Sequence, residues 1–202
     1  MSAQGHKTWV GGNIGNPLLV QTKNMTENDW VILELSSFQL HTMKKSPEIA
    51  VITNISPNHL DMHKDYEEYI DAKKNIMLYQ KPEDKLIVNM DNDVTNKIGK
   101  EARGRVKYFS RTKKADVYLE NGIIMRGDEP VLYIEDIKSP GMHNVENYMT
   151  AIAAVEGLVD DSVITEVAKE FGGVEHRIEL VRTLDGVRYY NSSIDSSPNR
   201  TM

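Results

Sequence analysis

The stretch Ile49-Ala50-Val51-Ile52-Thr53-Asn54-Ile55 is rich in β-branched residues and shows no regular polar alternation, which is typical of a strand buried on both faces of a parallel sheet. A helical pattern follows over residues 66–79, and Lys85-Leu86-Ile87-Val88-Asn89 is a second apolar strand pattern. Strand, helix and strand at these lengths form the unit from which parallel sheets with covering helices are built. The sequence therefore predicts an α/β fold with a mostly parallel sheet flanked by helices.

Similar patterns extend this prediction in both directions. Upstream, residues 31–35 (Val-Ile-Leu-Glu-Leu) indicate another buried strand. Downstream, residues 106–137 hold short strand patterns, and Asn121-Gly122 predicts a hairpin turn, so we expect a small antiparallel section or sheet edge there. Two helices, about 144–158 and 161–171, and two strands, 178–182 and 187–191, complete the prediction.

The composition excludes several classes of function. The 202 residues contain 24 Lys plus Arg against 30 Asp plus Glu, and a net charge of −6 argues against a nucleic-acid partner. The absence of cysteine excludes a disulfide scaffold, a thiolate nucleophile and Cys-ligated metals. Apolar runs are too short for a membrane span and the amino terminus does not resemble a signal peptide, so we expect a cytoplasmic protein without a membrane partner.

Two polar residues lie at or just beyond the carboxyl ends of predicted strands, at the edge where open parallel sheets bind ligands. Glu34 either pairs with an arginine at the mouth of its strand or acts as a metal ligand or general base. His59 is either a surface or capping residue or belongs to the same site. His59 and His63 have the spacing of a zinc pair, but no glutamate directly follows His59 and residues 62–65 are polar enough to be solvated. A metalloprotease site is therefore rejected.

Lys73 continues the apolar stripe of the predicted helix 66–79, whereas Lys74 is rotated by about 100° and should point to solvent. Either the stem of Lys73 lies along the core and its ammonium reaches water, or its amine serves a site, as a base or as a target of chemical modification.

Three further residues suggest a nucleotide site. Arg177 precedes a strand, where it forms a surface ion pair or clamps a phosphate. Asn144 and Asn147 begin a helix; capping explains Asn144 but explains Asn147 less easily. A phosphate loop with its lysine is absent from the sequence, and the glycines of Gly11-Gly12-Asn13-Ile14-Gly15 lack the spacing of one.

Six segments, in this order, resemble motifs of the Mur ligase family, and the resemblance covers nearly the whole chain. They are Gly11-Gly12-Asn13-Ile14-Gly15, Glu34-Leu35-Ser36-Ser37-Phe38-Gln39-Leu40, Asn54-Ile55-Ser56-Pro57-Asn58-His59-Leu60-Asp61, Tyr69-Ile70-Asp71-Ala72-Lys73-Lys74-Asn75-Ile76, Gly141-Met142-His143-Asn144-Val145-Glu146-Asn147 and His176-Arg177-Ile178-Glu179. The first two segments are typical of the branch that adds D-glutamate.

The resemblance implies an ATP-dependent ligase of peptidoglycan precursor synthesis, which joins D-glutamate to UDP-N-acetylmuramoyl-L-alanine through an acyl phosphate. By the same resemblance, Glu34, His59 and Lys73 are the catalytic residues and hold Mg²⁺, with Lys73 carrying a carbamate. A carbamate would supply the hard oxygen ligand that Mg²⁺ prefers.

The family motifs also imply the ligand-binding residues. Those for UDP-N-acetylmuramoyl-L-alanine are Asn13, Ser37 and Gln39, and those for ATP are Asn144, Asn147 and Arg177. Ser192 stands where the family motif has its nucleotide-contacting aspartate, and we expect Asp195, three residues further on, to take its place in the ATP site.

Residues 1–202 as a whole resemble the central ATP-binding domain of the family. The phosphate-loop segment and the carboxyl-terminal D-glutamate-binding domain of the family would lie outside them. We therefore expect these residues alone to lack ligase activity and the full-length enzyme to be a monomer. The alternative is a non-catalytic module that binds a nucleotide or a UDP-sugar.

Overall fold

Ten strands and five α-helices lie in residues 1–57 and 62–193, which are the residues that the computed structural model describes. The strands are β1 (Thr8–Gly12), β2 (Trp30–Glu34), β3 (Ile49–Ile52), β4 (Lys85–Asn89), β5 (Arg105–Ser110), β6 (Val117–Glu120), β7 (Ile123–Arg126), β8 (Glu129–Tyr133), β9 (Glu179–Leu184) and β10 (Val187–Asn191). The helices are α1 (Ser37–His41), α2 (Tyr66–Leu78), α3 (Asp93–Glu101), α4 (Met142–Ala154) and α5 (Asp161–Glu170). None of the helices in this part of the chain combines the length and apolar character needed to cross a bilayer.

A six-stranded sheet in the order β3-β4-β5-β6-β7-β8 forms the centre of the fold. Strands β3 to β6 are parallel, and β6, β7 and β8 are antiparallel, so the predicted mostly parallel sheet is confirmed. Asn121 and Gly122 form the predicted hairpin turn, with φ angles of 50° and 77°. The expectation for residues 106–137 was wrong at β5, which belongs to the parallel part of the sheet.

The core lies on both faces of this sheet. In β4, the side chains of Leu86 and Val88 face α2 and α3, whereas Ile87 faces α4 and α5, and all three are fully buried. Burial on both faces explains why β3 and β4 show no polar alternation. Each such side chain contributes about 1.5–3 kcal/mol through its removal from water.

Two helices were not predicted, and both depend on side-chain caps. Asn92 begins α3 by accepting a hydrogen bond from the Thr95 N–H, and Ser36 begins α1 by accepting one from the Gln39 N–H. The predicted helix from about 144 to 158 instead ends at Ala154, because the chain turns at Gly157, whose φ is 80°.

Two smaller sheets stand apart from the central one: the parallel pair β1–β2 and the antiparallel pair β9–β10. The predicted burial of residues 31–35 was wrong, since Val31, Ile32 and Leu33 are 45%, 45% and 48% exposed. The physical reason is that β1 and β2 form a separate two-stranded sheet, and neither apolar core cluster of the described residues includes one of theirs, whereas such clusters cover both faces of β4.

Candidate functional site

A crevice of about 330 Å³ separates the β1–β2 pair from β3 and α2. Apolar side chains form most of its wall. Its polar wall residues are Glu34, Thr53, Asn54 and Lys73. The crevice thus lies at the carboxyl ends of β2 and β3, which is where the sequence placed a site.

Glu34 is the last residue of β2, and the glycine-rich segment fixes its backbone. Gly12 lies opposite Glu34 in the β1–β2 pair, and the Asn13 N–H donates a 2.7 Å hydrogen bond to the Glu34 carbonyl oxygen. Gly12 has a φ of 106°, and a Cβ at this position would overlap that carbonyl oxygen. The glycines therefore allow the close backbone approach that holds Glu34, while the Asn13 side chain stays exposed.

Lys73 is half-buried on α2 and lines the same crevice as Glu34. Burial lowers the pKa of the Lys73 amine, and the nearby Glu34 carboxylate opposes this only in part. The ammonium also lies 5.3 Å from the centre of the Tyr69 ring. A lowered pKa increases the fraction of neutral, nucleophilic amine at a given pH.

Lys74 does not point to solvent as predicted. Its side chain is only 20% exposed and forms a 2.7 Å salt bridge with Glu101 at the end of α3. The prediction was wrong because helical periodicity locates the face of a residue but not the neighbouring helix beside that face.

Ser37 and Gln39 lie on α1, directly after Glu34. The side chains of Ser36 and Gln39 form a capping box, in which Gln39 Oε1 accepts from the Ser36 N–H at 3.0 Å. Ser37 is 2% exposed, and its hydroxyl lies 2.9 Å from Nε2 of His63. Their proposed substrate contacts remain predictions.

His63 is buried, which contradicts the expectation of a solvated segment at that residue, whereas Met62, Lys64 and Asp65 are exposed as predicted. Asp65 caps α2 by accepting from the Glu68 N–H, and the Glu68 side chain accepts in turn from the Lys64 N–H. His63 precedes this cap by two residues, and its ring lies 5.3 Å from that of Tyr69 on α2, measured between centres.

His59 and Asp195 lie outside the described residues. Among the described residues, no cluster of three or more His, Cys, Asp or Glu side chains could hold a metal ion. Glu34 supplies one carboxylate in the crevice, and Lys73 would add an oxygen ligand only as a carbamate. The donor set thus fits Mg²⁺ when Lys73 is carbamylated.

The candidate nucleotide residues lie on two other elements. Asn144 and Asn147 lie on the first turns of α4, where Asn144 Nδ2 donates to the Pro140 carbonyl at 2.7 Å and Asn147 Nδ2 donates to Asn144 Oδ1 at 3.4 Å. Gly141, not Asn144, is the N-cap of this helix. Arg177 is exposed on the turn before β9, and the described residues offer it no ion pair.

The turn that carries Arg177 is held from both sides. His176 and Ile178 have φ angles of 65° and 48°, a left-handed backbone that is costly for residues other than glycine. Asn191 on β10 contacts the His176 ring at 2.9 Å, and Ser192 Oγ accepts from the Ile178 N–H at 3.2 Å. Ser192 therefore supports the backbone beside Arg177.

Comparison with known proteins gives a family match over most of the chain. The family model described as Mur ligase middle domain matches residues 2–155. The chain is 54% identical to the UDP-N-acetylmuramoylalanine--D-glutamate ligase of Ruminiclostridium cellulolyticum and 53% identical to that of Acetivibrio thermocellus. Both matches include 100% of this chain and 45% of the relative, so the chain spans under half the length of these proteins.

Solved structures support the fold. A crystal structure of MurF from Acinetobacter baumannii matches 97% of this chain and 47% of its own, with a TM-score of 0.76 at 18% identity. The MurF ligase from Thermotoga maritima in complex with ADP matches 96% of this chain and 49% of its own, with a TM-score of 0.72 at 16% identity. At these identities the likeness concerns the fold alone.

Proposed function

Because the chain belongs to the Mur ligase family, we propose that residues 1–202 form the central domain of a ligase that adds D-glutamate to UDP-N-acetylmuramoyl-L-alanine. The observation that carries this proposal is the crevice in which Glu34 and Lys73 lie together at the carboxyl ends of the strands. The names of the relatives at 54% and 53% identity support the choice of D-glutamate. Such a ligase would work as a monomer in the cytoplasm.

Lys73 would enter this chemistry as a carbamate. The lone pair of its neutral amine adds to the carbon of CO₂, forming a nitrogen–carbon bond, and a proton leaves to solvent. The lowered pKa of the amine supports this step. Glu34, the carbamate of Lys73 and His59 would then hold Mg²⁺, which when bound neutralises phosphate charge.

The reaction has two steps. The substrate carboxylate attacks the γ-phosphorus of ATP, so that ADP leaves and an acyl phosphate forms; the D-glutamate amine then displaces phosphate and loses a proton. Asn13, Ser37 and Gln39 would bind the UDP-sugar substrate. Asn144, Asn147, Arg177 and Asp195 would bind ATP. Positioning and charge neutralisation account for most catalysis of this kind.

Separate calorimetric titrations with UDP-N-acetylmuramoyl-L-alanine and with Mg-ATP test the proposal. We expect binding of at least one ligand, and loss of magnesium-dependent binding in Glu34→Gln. Asp71→Asn, an exposed acid on α2, is the matched control and should bind as the wild type does. Binding of neither ligand would contradict the proposal.

A coupled phosphate-release assay separates the ligase from the binding module. We expect no release that depends on ATP and D-glutamate from these 202 residues alone, and release when the remaining parts of such a ligase are supplied. Binding without release in both cases would favour a non-catalytic module.

A further inference from the structure

His63 connects elements that the proposed mechanism needs to hold together. Its side chain is 3% exposed and lies between α1 and the first turn of α2. Nε2 lies 2.9 Å from the Ser37 hydroxyl, and Nδ1 lies 3.7 Å from Glu68 Oε2. Both ring nitrogens thus face polar atoms, and each of these belongs to a different helix.

The faces and edge of the His63 ring are also in contact. The ring stacks on Phe38 with 5.2 Å between centres and an 8° angle, and Tyr69 meets it edge-on at 5.3 Å. Tyr69 in turn carries the Lys73 ammonium over its own ring. A chain of direct contacts therefore leads from His63 to Lys73.

The partners of His63 lie close in sequence to the candidate ligands. Ser37 follows Glu34 by three residues, and Tyr69 precedes Lys73 by one helical turn. His63 itself follows His59 by four residues. Each proposed magnesium ligand therefore lies within four residues of His63 or of a residue that His63 contacts.

We propose that His63 is a positioning residue, which fixes α1 and α2 so that Glu34 and Lys73 face each other across the crevice. This inference rests on the proposed magnesium site. A packing role alone would require only the volume of the ring. The hydrogen bond to buried Ser37 adds a directional constraint, because replacement of the imidazole by an apolar ring would leave the hydroxyl without this partner.

Mn²⁺ binding tests the proposal, measured through the electron paramagnetic resonance signal of free Mn²⁺ in bicarbonate buffer. Replacing His63 by phenylalanine keeps the aromatic contacts but removes both nitrogens, and we expect Mn²⁺ affinity to fall about tenfold or more. His63→Gln offers an amide near the position of Nε2 and should recover most of this loss. Ser37→Ala, a smaller change, should weaken Mn²⁺ binding in the same direction, and the pair Ser37→Ala with His63→Phe should be no worse than His63→Phe alone.

Two controls make the outcome specific. His41→Phe changes an exposed histidine of α1 whose ring lies 6.3 Å from that of His63 but whose side chain hydrogen-bonds to no described residue, so it keeps the ring contact and should leave Mn²⁺ affinity unchanged. Thermal melting of each variant separates positioning from folding, because a purely structural role would lower the melting temperature of His63→Phe without changing the affinity of the folded protein.

The Mn²⁺ assay distinguishes failure of the positioning role from failure of the proposed metal site. If Glu34→Gln abolishes Mn²⁺ binding but His63→Phe and Ser37→Ala bind as the wild type does, the positioning role is overturned and the metal site stands. If Glu34→Gln has no effect on Mn²⁺ binding, the proposed metal site is overturned, and the positioning role falls with it.

Discussion

At the scale of single residues, Gly12 shows how the backbone prepares the crevice. It combines a φ of 106° with a position where a Cβ would overlap the Glu34 carbonyl oxygen. Gly15, in the same segment, has a φ of 65° and open space around its Cβ position. The two glycines therefore separate the cost of an unusual φ from the cost of a steric clash.

Replacing Gly12 by alanine should lower the free energy of unfolding by about 2–4 kcal/mol, because backbone strain and overlap with Glu34 add. Gly15→Ala, the matched control, should lose only about 1–2 kcal/mol from its left-handed backbone. Urea denaturation measures both values. Equal losses would show that the approach of Gly12 to Glu34 is not tight.

Asp91 makes stability depend on pH. Burial favours its neutral acid, but hydrogen bonds from Thr112, Ser110 and the Arg111 N–H outweigh burial and lower the pKa below 3.8. A carboxyl whose pKa is lower in the folded state stabilises the protein above its unfolded pKa and loses that stabilisation as pH falls through the folded pKa.

Asp91→Asn should therefore be less stable than the wild type near pH 7, by about 1–3 kcal/mol, and the gap should shrink as pH falls below about 4. Urea denaturation between pH 7 and the acid range measures this difference in the free energy of unfolding. Asp128→Asn, which alters an exposed acid, should show little change at any pH in this range. A gap that stays constant with pH would rule out the titration of Asp91 as its cause.

Sequence reasoning placed some candidate residues correctly in the fold and misplaced others for a clear reason. Helical periodicity placed Lys73 on the inner face of α2, and the strand pattern placed Glu34 near the carboxyl end of β2. The burial of His63 was missed, because its partners Ser37 and Phe38 lie more than twenty residues away. The local sequence pattern predicts which face of its element a residue occupies, but it does not predict which distant segment covers that face.

At the scale of elements, an arginine fork fastens α5 to the sheet. Arg126 at the end of β7 donates two 2.9 Å hydrogen bonds, one to each carboxylate oxygen of Asp161 at the start of α5. The carboxylate also lies at the positive end of the helix dipole. The paired geometry makes this contact stronger than an ordinary surface ion pair.

Arg126→Leu should destabilise the protein by about 1–3 kcal/mol, since it removes two charge-assisted hydrogen bonds from a partly buried position. Lys114→Met is the comparison, because Lys114 and Asp128 form a 2.8 Å pair with side chains 69% and 88% exposed. That substitution should leave stability nearly unchanged, because solvent screens an exposed pair. Thermal denaturation of the two variants measures whether the partly buried, two-bond pair contributes more to stability than the exposed pair. Equal losses of stability would contradict this prediction.

Elements defined by long periodic patterns were predictable, and those defined by caps or pairing were not. The strands β3 and β4 and the helix α2 follow from apolar pattern alone. In contrast, α3 depends on the Asn92 cap, and the parallel pairing of β5 depends on its neighbour β4. A short strand has the same sequence pattern whether it pairs parallel or antiparallel. The orientation of β5 is therefore set by its neighbours in the sheet and not by its own sequence.

At the scale of the whole molecule, the strands are unequally protected from solvent. The strand β4 lies between β3 and β5 and is covered on both faces, whereas Leu180 and Val181 of the β9–β10 pair are 50% and 59% exposed. A sheet of two strands with open faces is marginally stable on its own. The backbone hydrogen bonds of this pair should therefore open at a lower free energy than those of the central sheet.

Hydrogen exchange followed by mass spectrometry measures this difference. We expect amides of β4 to exchange only through global unfolding, whereas amides of β1–β2 and β9–β10 exchange at least about tenfold faster through local opening. Equal protection of β10 and β4 would contradict this view. Slower exchange of β1–β2 on addition of UDP-N-acetylmuramoyl-L-alanine or Mg-ATP would further support a ligand site beside that pair.

The change from parallel to antiparallel pairing at β6 has a consequence for how the chain folds. The meander β6-β7-β8 closes through short turns, while β3 and β4 must wait for the crossover through α2. Contacts between residues close in sequence form fastest. We therefore expect the folding nucleus to include the meander and not the crevice, so that substitutions at Glu34 or Lys73 mainly alter the unfolding rate. Changes in ligand recognition can then accumulate without slowing the folding of the chain.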